Sequence, residues 1–90
     1  MKYYTYVLKS EKDNKYYYGF TKDLIERLKQ HNNSDITATK YRTPLKLVYY
    51  EVCFNKKDAL KREKYFKTHH GKMFLKNRLK NYLNSFSNSR

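Results

Sequence analysis

Two tyrosine-rich runs, Tyr3–Ser10 and Lys15–Phe20, flank the polar turn Glu11-Lys12-Asp13-Asn14 and lead straight into a short helical stretch. Aromatic and β-branched residues suit a pleated, half-buried surface. Tyr3-Tyr4-Thr5-Tyr6-Val7-Leu8 therefore reads as a strand, and Lys15-Tyr16-Tyr17-Tyr18 as its hairpin partner. A lone hairpin is marginal in water and needs further strands or helices packed against it. Gly19 ends the second strand where a side chain would obstruct a bulge or a closely approaching group.

The rest of the chain supplies those elements. Thr21 is placed to cap a helix that runs to about Asn32, with Asp23 in its first turn. At 100° per residue, Leu24, Arg27, Leu28 and His31 share one arc, so Arg27 and His31 flank the apolar stripe and point into a groove beside it. Asn33–Thr43 is a polar loop, and Leu45–Glu51 after Pro44 is a third strand. Lys56 to about His69 reads as a second helix, Gly71 as an interruption, and Lys72–Leu83 as a third helix. The expected class is α+β: a small three-stranded mixed or antiparallel sheet flanked by helices, in the order β-β-α-β-α-α. Residues 1–84 form one domain and 85–90 a disordered polar tail.

Charge narrows the partner. Lys and Arg number 21 against 8 Asp and Glu, a formal net charge of +13. From Lys56 onward there are eleven basic residues and two acidic ones. Each neutralised phosphate releases counterions, so such a half favours a polyanion. A ribosome-associated or merely soluble basic protein would share that composition. Tyrosine interleaved with lysine favours nucleic acid, because aromatic faces stack bases. Cys53 is the lone cysteine, which excludes a disulfide framework and a Cys-based zinc site. No apolar run approaches the roughly 18 residues of a membrane span, and the N-terminus lacks signal-peptide regions. The expected location is the cytoplasm.

One carboxylate stands out. Glu63 falls between Ala59, Phe66 and His70 on a single helical face, and a carboxylate there is costly unless paired or metal-bound. An ion pair with Arg27, Arg62 or Lys67 is the plain explanation. The chemical one is a Mg²⁺ (or Mn²⁺) ligand, since Mg²⁺ commonly takes one or two protein carboxylates and completes its octahedron with water and substrate phosphate. The other acids are too scattered for a two-metal site. His69 and His70 diverge by about 100° on a helix and read as solvated surface. A one-metal phosphodiester hydrolase also needs a base and a phosphate clamp. Arg27 can hold phosphate bidentately. Tyr6 and Tyr17 are candidate bases if nearby cations or the metal lower a phenol pKa, and His31 starts nearer neutrality. Ordinary strand packing is the plain reading of either tyrosine.

Spacing separates these readings. Ten residues lie between Tyr4-Thr5-Tyr6 and Tyr17-Tyr18-Gly19, and Arg27 follows eight positions after that glycine. Lys40-Tyr41-Arg42-Thr43-Pro44, Leu47–Glu51, Ala59–Lys64 and Lys67 continue the series. The ordered set, spanning about Tyr3 to Leu83, resembles the GIY-YIG nuclease superfamily and, within it, small stand-alone single-domain endonucleases. The resemblance implies a metal-dependent endonuclease acting on DNA. It places Tyr6 and Tyr17 at the two motif tyrosines, Arg27 at the phosphate-binding arginine, His31 at a catalytic histidine and Glu63 at the metal ligand. Lys40, Arg42, Lys67 and Lys72 are the expected nucleic-acid contacts, with a protein partner possible for targeting. Tyr4, Thr5 and Tyr18 depart from the motif's glycine and isoleucines. Phe20 stands where repair relatives carry lysine, and Asn77 is out of register for the family's late asparagine. The tripeptide departures concern packing. Phe20 and the missing asparagine favour the alternative of a non-catalytic basic nucleic-acid-binding module, Arg27 and Glu63 oppose it, and a small protein–protein adaptor is a third reading.

Overall fold

The computed structural model describes residues 1–87. Strand β1 (Tyr3–Ser10) and β2 (Tyr16–Thr21) form the expected hairpin, followed by helix α1 (Leu24–Asn32) and strand β3 (Leu45–Cys53). Three helices complete the chain: α2 (Lys56–Phe66), α3 (His69–Arg78) and α4 (Lys80–Ser87). The sheet is antiparallel throughout in the order β2-β1-β3. The fold is α+β, as the strand and helix patterns predict.

β1 is the centre of the molecule, buried on both faces. Successive side chains alternate across a strand, so Tyr6 and Leu8 face one side and Thr5 and Val7 the other. On the first side Tyr6, Leu8 and Leu45 pack with Tyr17, Leu24, Leu28 and Leu47, which brings α1 onto the sheet. On the second, Val7, Val48, Phe66 and Leu75 form a core with Tyr18, Tyr49 and Phe74 under α2 and α3. A bulge in the β1–β3 register opposite Val7 and Leu8 skips Val48 and turns it into this second core. Thr5 Oγ1 donates to the Ala59 carbonyl at 2.7 Å and seats α2 on the strand, where the fully buried Ala59 leaves room for close approach.

Side-chain amides and hydroxyls fix the elements that carry the site. Asn32 receives the Leu45 N–H at 2.8 Å and donates to the Leu45 carbonyl at 3.0 Å, locking the end of α1 to the start of β3. Ser10 Oγ donates to the Arg42 carbonyl at 2.6 Å, tying the polar loop to the hairpin.

Several boundaries differ from the sequence reading. Asp23, rather than Thr21, is the N-cap of α1: its side chain accepts the Glu26 N–H, while Thr21 Oγ1 accepts the N–H of Asp23. The second helix stops at Phe66, because Thr68 caps a new one by accepting the Gly71 N–H. Gly71 thus lies inside α3 rather than interrupting it. A Cβ there would collide with the Tyr65 carbonyl, so the glycine permits the tight α2–α3 junction. The expected helix over Lys72–Leu83 is divided at Leu79 into α3 and α4. α4 continues through Ser87, three residues into the stretch expected to be a polar tail; the remainder of that stretch lies outside the described residues. Cys53 belongs to the end of β3 rather than following it.

Candidate active site

Three residues expected to act together meet on the α1 side of the sheet. The Tyr6 hydroxyl lies 2.9 Å from His31 Nε2, and His31 Nδ1 lies 2.7 Å from Thr39 Oγ1. Tyr17 closes the cluster, its ring centroid 5.1 Å from that of His31 and 6.3 Å from that of Tyr6. Tyr6 is 1 % exposed and His31 and Thr39 are fully buried. Gly19 makes the arrangement possible. It pairs with Tyr6 across the hairpin, and a Cβ at position 19 would run into the Tyr6 ring at Cζ and Oη. The glycine is required by a ring lying over it.

Burial sets the protonation states. It pushes the Tyr6 phenol above its ordinary range; the neighbouring Tyr17 adds to this, Arg27 pulls the other way, and the Glu63 carboxylate raises it further. Of the influences that could make this phenol a base, Arg27 acts in the lowering direction, but desolvation outweighs it. Tyr6 is a neutral hydroxyl. His31 is lowered to about 4 by burial, with the Arg27 charge acting in the same direction. It is a neutral imidazole at physiological pH, with a nitrogen free to accept a proton. In a neutral phenol hydrogen-bonded to a neutral imidazole, the hydroxyl can take a proton on one lone pair while passing its own to nitrogen.

Arg27 sits one turn before His31, half-buried, with Nη1 donating to Gln30 Oε1 at 3.4 Å. Its field reaches both Tyr6 and His31. Glu63 reaches Tyr6 electrostatically from α2, on the other side of the sheet. Its side chain is 21 % exposed and its ion pair is with Lys67, the C-cap of α2, at a long 3.7 Å. Of the partners considered for it, Arg62 is committed to Glu51 through bonds of 2.9 and 2.7 Å. A partly exposed carboxylate held this loosely fits a single Mg²⁺ or Mn²⁺ whose other ligands are water and phosphate. Among the described residues no group of three or more His, Cys, Asp or Glu side chains gathers to hold a metal.

The expected nucleic-acid contacts separate. Lys40 is exposed, with Nζ 5.0 Å from the Tyr41 ring centroid, and Lys67 is exposed beside Glu63. Arg42 is engaged internally, by Asp13 Oδ2 at 3.2 Å and the Tyr16 carbonyl at 3.4 Å. Lys72 stands on the opposite face of the sheet from Tyr6 and His31, on the rim of a groove lined by Val7, Tyr16 and Tyr18. Phe20 stacks on Tyr3 at 6.1 Å, on the face away from Tyr6 and Tyr17. Thr39 and Gln30 were not singled out from the sequence. Their only signal is position, in a polar loop and one residue before a histidine; neither pattern distinguishes them from solvated neighbours.

The hairpin–helix scaffold brings tyrosines from both strands to an arginine and a histidine of the next helix. Residues 2–80 match the model of the GIY-YIG catalytic domain. The chain belongs to the GIY-YIG family, a nuclease family whose membership implies a nucleic-acid substrate. It is 44 % identical over 68 residues to UPF0213 protein SSP2268 of Staphylococcus saprophyticus, covering 74 % of this chain and 82 % of that one. It is 46 % identical over 65 residues to UPF0213 protein CPE1444 of Clostridium perfringens, covering 71 % and 69 %. The solution NMR structure of UPF0213 protein BH0048 from Bacillus halodurans superposes with a TM-score of 0.52 at 29 % identity, over 83 % of this chain and 82 % of that one.

Proposed function

We propose that the chain is a divalent-metal-dependent endonuclease that hydrolyses phosphodiester bonds in DNA through a Tyr6–His31–Thr39 relay. The observation that carries this reading is the pair of short contacts at His31, 2.9 Å to the Tyr6 hydroxyl and 2.7 Å to Thr39. With Nδ1–H donating to Thr39 Oγ1, Nε2 is left to accept the Tyr6 proton. As water attacks phosphorus, the Tyr6 oxygen takes the water's proton and its own passes to Nε2. The phenol never has to ionise, which suits its raised pKa. Arg27 holds the non-bridging oxygens and offsets the charge that grows on them. Tyr17 walls the water-side of the relay. Glu63 is the residue that would hold Mg²⁺ or Mn²⁺, which would supply positive charge for the phosphate and the leaving group. Lys40 and Lys67 contact backbone phosphates.

The test is cleavage of branched, single-stranded and supercoiled DNA with Mg²⁺ or Mn²⁺, beside Glu63→Gln. Metal-dependent nicking is expected in the parent. Removing several kcal/mol of charge stabilisation lowers the rate on the order of a thousandfold in the variant, with binding within a few-fold. Salt-sensitive binding without hydrolysis on every substrate overturns this reading in favour of the non-catalytic nucleic-acid-binding module.

A further inference from the structure

On the face of the sheet away from Tyr6 and His31, a groove of about 610 Å³ opens between β1, β2 and the α3–α4 segment. Its floor is aliphatic. Leu75, Leu79 and Leu83 follow one another at i, i+4 and i+8, and the Leu79 N–H bonds to Leu75 and the Leu83 N–H to Leu79, so the row stays continuous across the α3–α4 junction. Beside it run Lys72, Lys76 and Lys80 at the same spacing, all exposed. None of the three forms an ion pair among the described residues, and no acidic side chain lines the groove. The catalytic reading uses none of this.

We infer that this groove is a docking site for an acidic amphipathic helix of a protein partner. Helix-in-groove recognition places apolar side chains at i, i+4 and i+7 into an apolar slot, with polar residues flanking. A leucine row walled by β2 offers that slot, and a lysine row alongside it attracts and orients a carboxylate-bearing flank. Nucleic acid fits less well. Bases stack on exposed aromatic faces, whereas the helix side of the groove is branched aliphatic. Of the two tyrosines on the sheet side, the Tyr18 ring is already tilted against Phe66 at 6.5 Å, which leaves Tyr16 to offer a face. A second copy of a chain carrying +13 would oppose lysine with lysine. The groove lies on the face opposite the Tyr6–His31 cluster, so a docked helix leaves that cluster open. The inference does not depend on the nuclease reading.

The probe is a synthetic helical peptide with leucines at i, i+4, i+7 and i+11 and glutamates beside them, titrated by fluorescence anisotropy without metal or DNA. Saturable binding on the order of micromolar is expected, with amide shifts at Leu75, Leu79 and Leu83. The Lys76→Glu/Lys80→Glu variant, changed only at exposed positions and checked by circular dichroism, should bind at least tenfold more weakly. It should then accept the same peptide with lysines in place of the glutamates. Absence of saturable binding, or binding indifferent to the charge swap, overturns the inference. So does displacement of the peptide by a single-stranded oligonucleotide that shifts the same amides, which makes the groove a nucleic-acid contact. Self-association abolished by the double variant overturns it in favour of a second copy.

Discussion

The two faces of β1 use aromatic residues for opposite ends. Under α1, Tyr6 and Tyr17 surround a buried histidine, Tyr6 through a hydrogen bond to Nε2 and Tyr17 through an edge-on ring contact. Under α2 and α3, aromatic rings enclose an ion pair. The Arg62 guanidinium lies 4.9 Å from the Phe66 ring centroid and 5.0 Å from those of Tyr65 and Phe74, while gripping Glu51 through both oxygens. Tyr49 donates to the same carboxylate at 2.9 Å. Although burial alone would raise the Glu51 carboxyl, bonds from Arg62 and Tyr49 hold it below the usual range. On the first face Tyr6 and His31 stay neutral and coupled. On the second the Glu51 carboxylate is paired with Arg62, while Lys72, Lys76 and Lys80 form no ion pair among the described residues. The lesson is that burying polar atoms serves chemistry where they are left neutral and coupled, and stability where they are paired off.

The comparison can be broken at four points. Phe66→Ala removes a fully buried ring from the second face and should cost about 3–5 kcal/mol in urea unfolding. Cleavage per folded molecule should stay as in the parent, and a parallel loss of activity would mean the faces are not separable. Next comes acid. The unfolded chain binds a proton at a His31 value near 6.5 that the folded chain refuses until about 4. The His31 contribution is therefore complete above pH 6.5 and is lost as pH falls toward 4, by about 3 kcal/mol. His31→Asn should flatten that part of the stability–pH curve, and unchanged steepness would acquit the histidine. The acid limb of single-turnover cleavage should likewise fall near pH 4 instead of 6.5.

Gly19→Ala strikes the first face. The new methyl displaces the Tyr6 ring, and a shift of about 1 Å is enough for a hundredfold loss of cleavage. Overpacking adds about 1–3 kcal/mol of destabilisation, so rates should be read well below the melting transition. Full activity would show that the Tyr6 position is not critical. Lys67→Ala should do least. An exposed i,i+4 pair contributes under about 0.5 kcal/mol, and thermal denaturation should barely move. A large drop would reveal that Glu63 depends on this lysine.

Much of this was legible in the chain. The hairpin, the first helix and the third strand announced themselves through tyrosine density, a polar turn and helical periodicity. Arg27 and His31 shared an arc on a helix wheel, and the family resemblance carried by the two tripeptides added Tyr6 and Tyr17 to them. The α2–α3 break was not legible, because Lys67-Thr68 looks like continuing helix until Thr68 is seen capping Gly71. Thr39 was hidden for a similar reason: a threonine in a polar loop gains meaning only when the loop folds back on α1. The bond from Arg42 to Asp13 spans 29 residues of sequence, and nothing in the charge pattern announced that pairing.

By itself the sequence determined the strand alternation, and with it which residues share a face, since a period of two leaves no other choice once β1 is buried on both sides. It also determined the strongly basic character that points to an anionic partner. Only the tertiary structure decided protonation. Whether Tyr6 ionises and whether His31 is neutral depend on how much water and which charges surround them, and those are supplied by Arg27, Tyr17 and Glu63 from three separate elements. Desolvation is a property of the packed interior, so no reading of the chain in one dimension contains it.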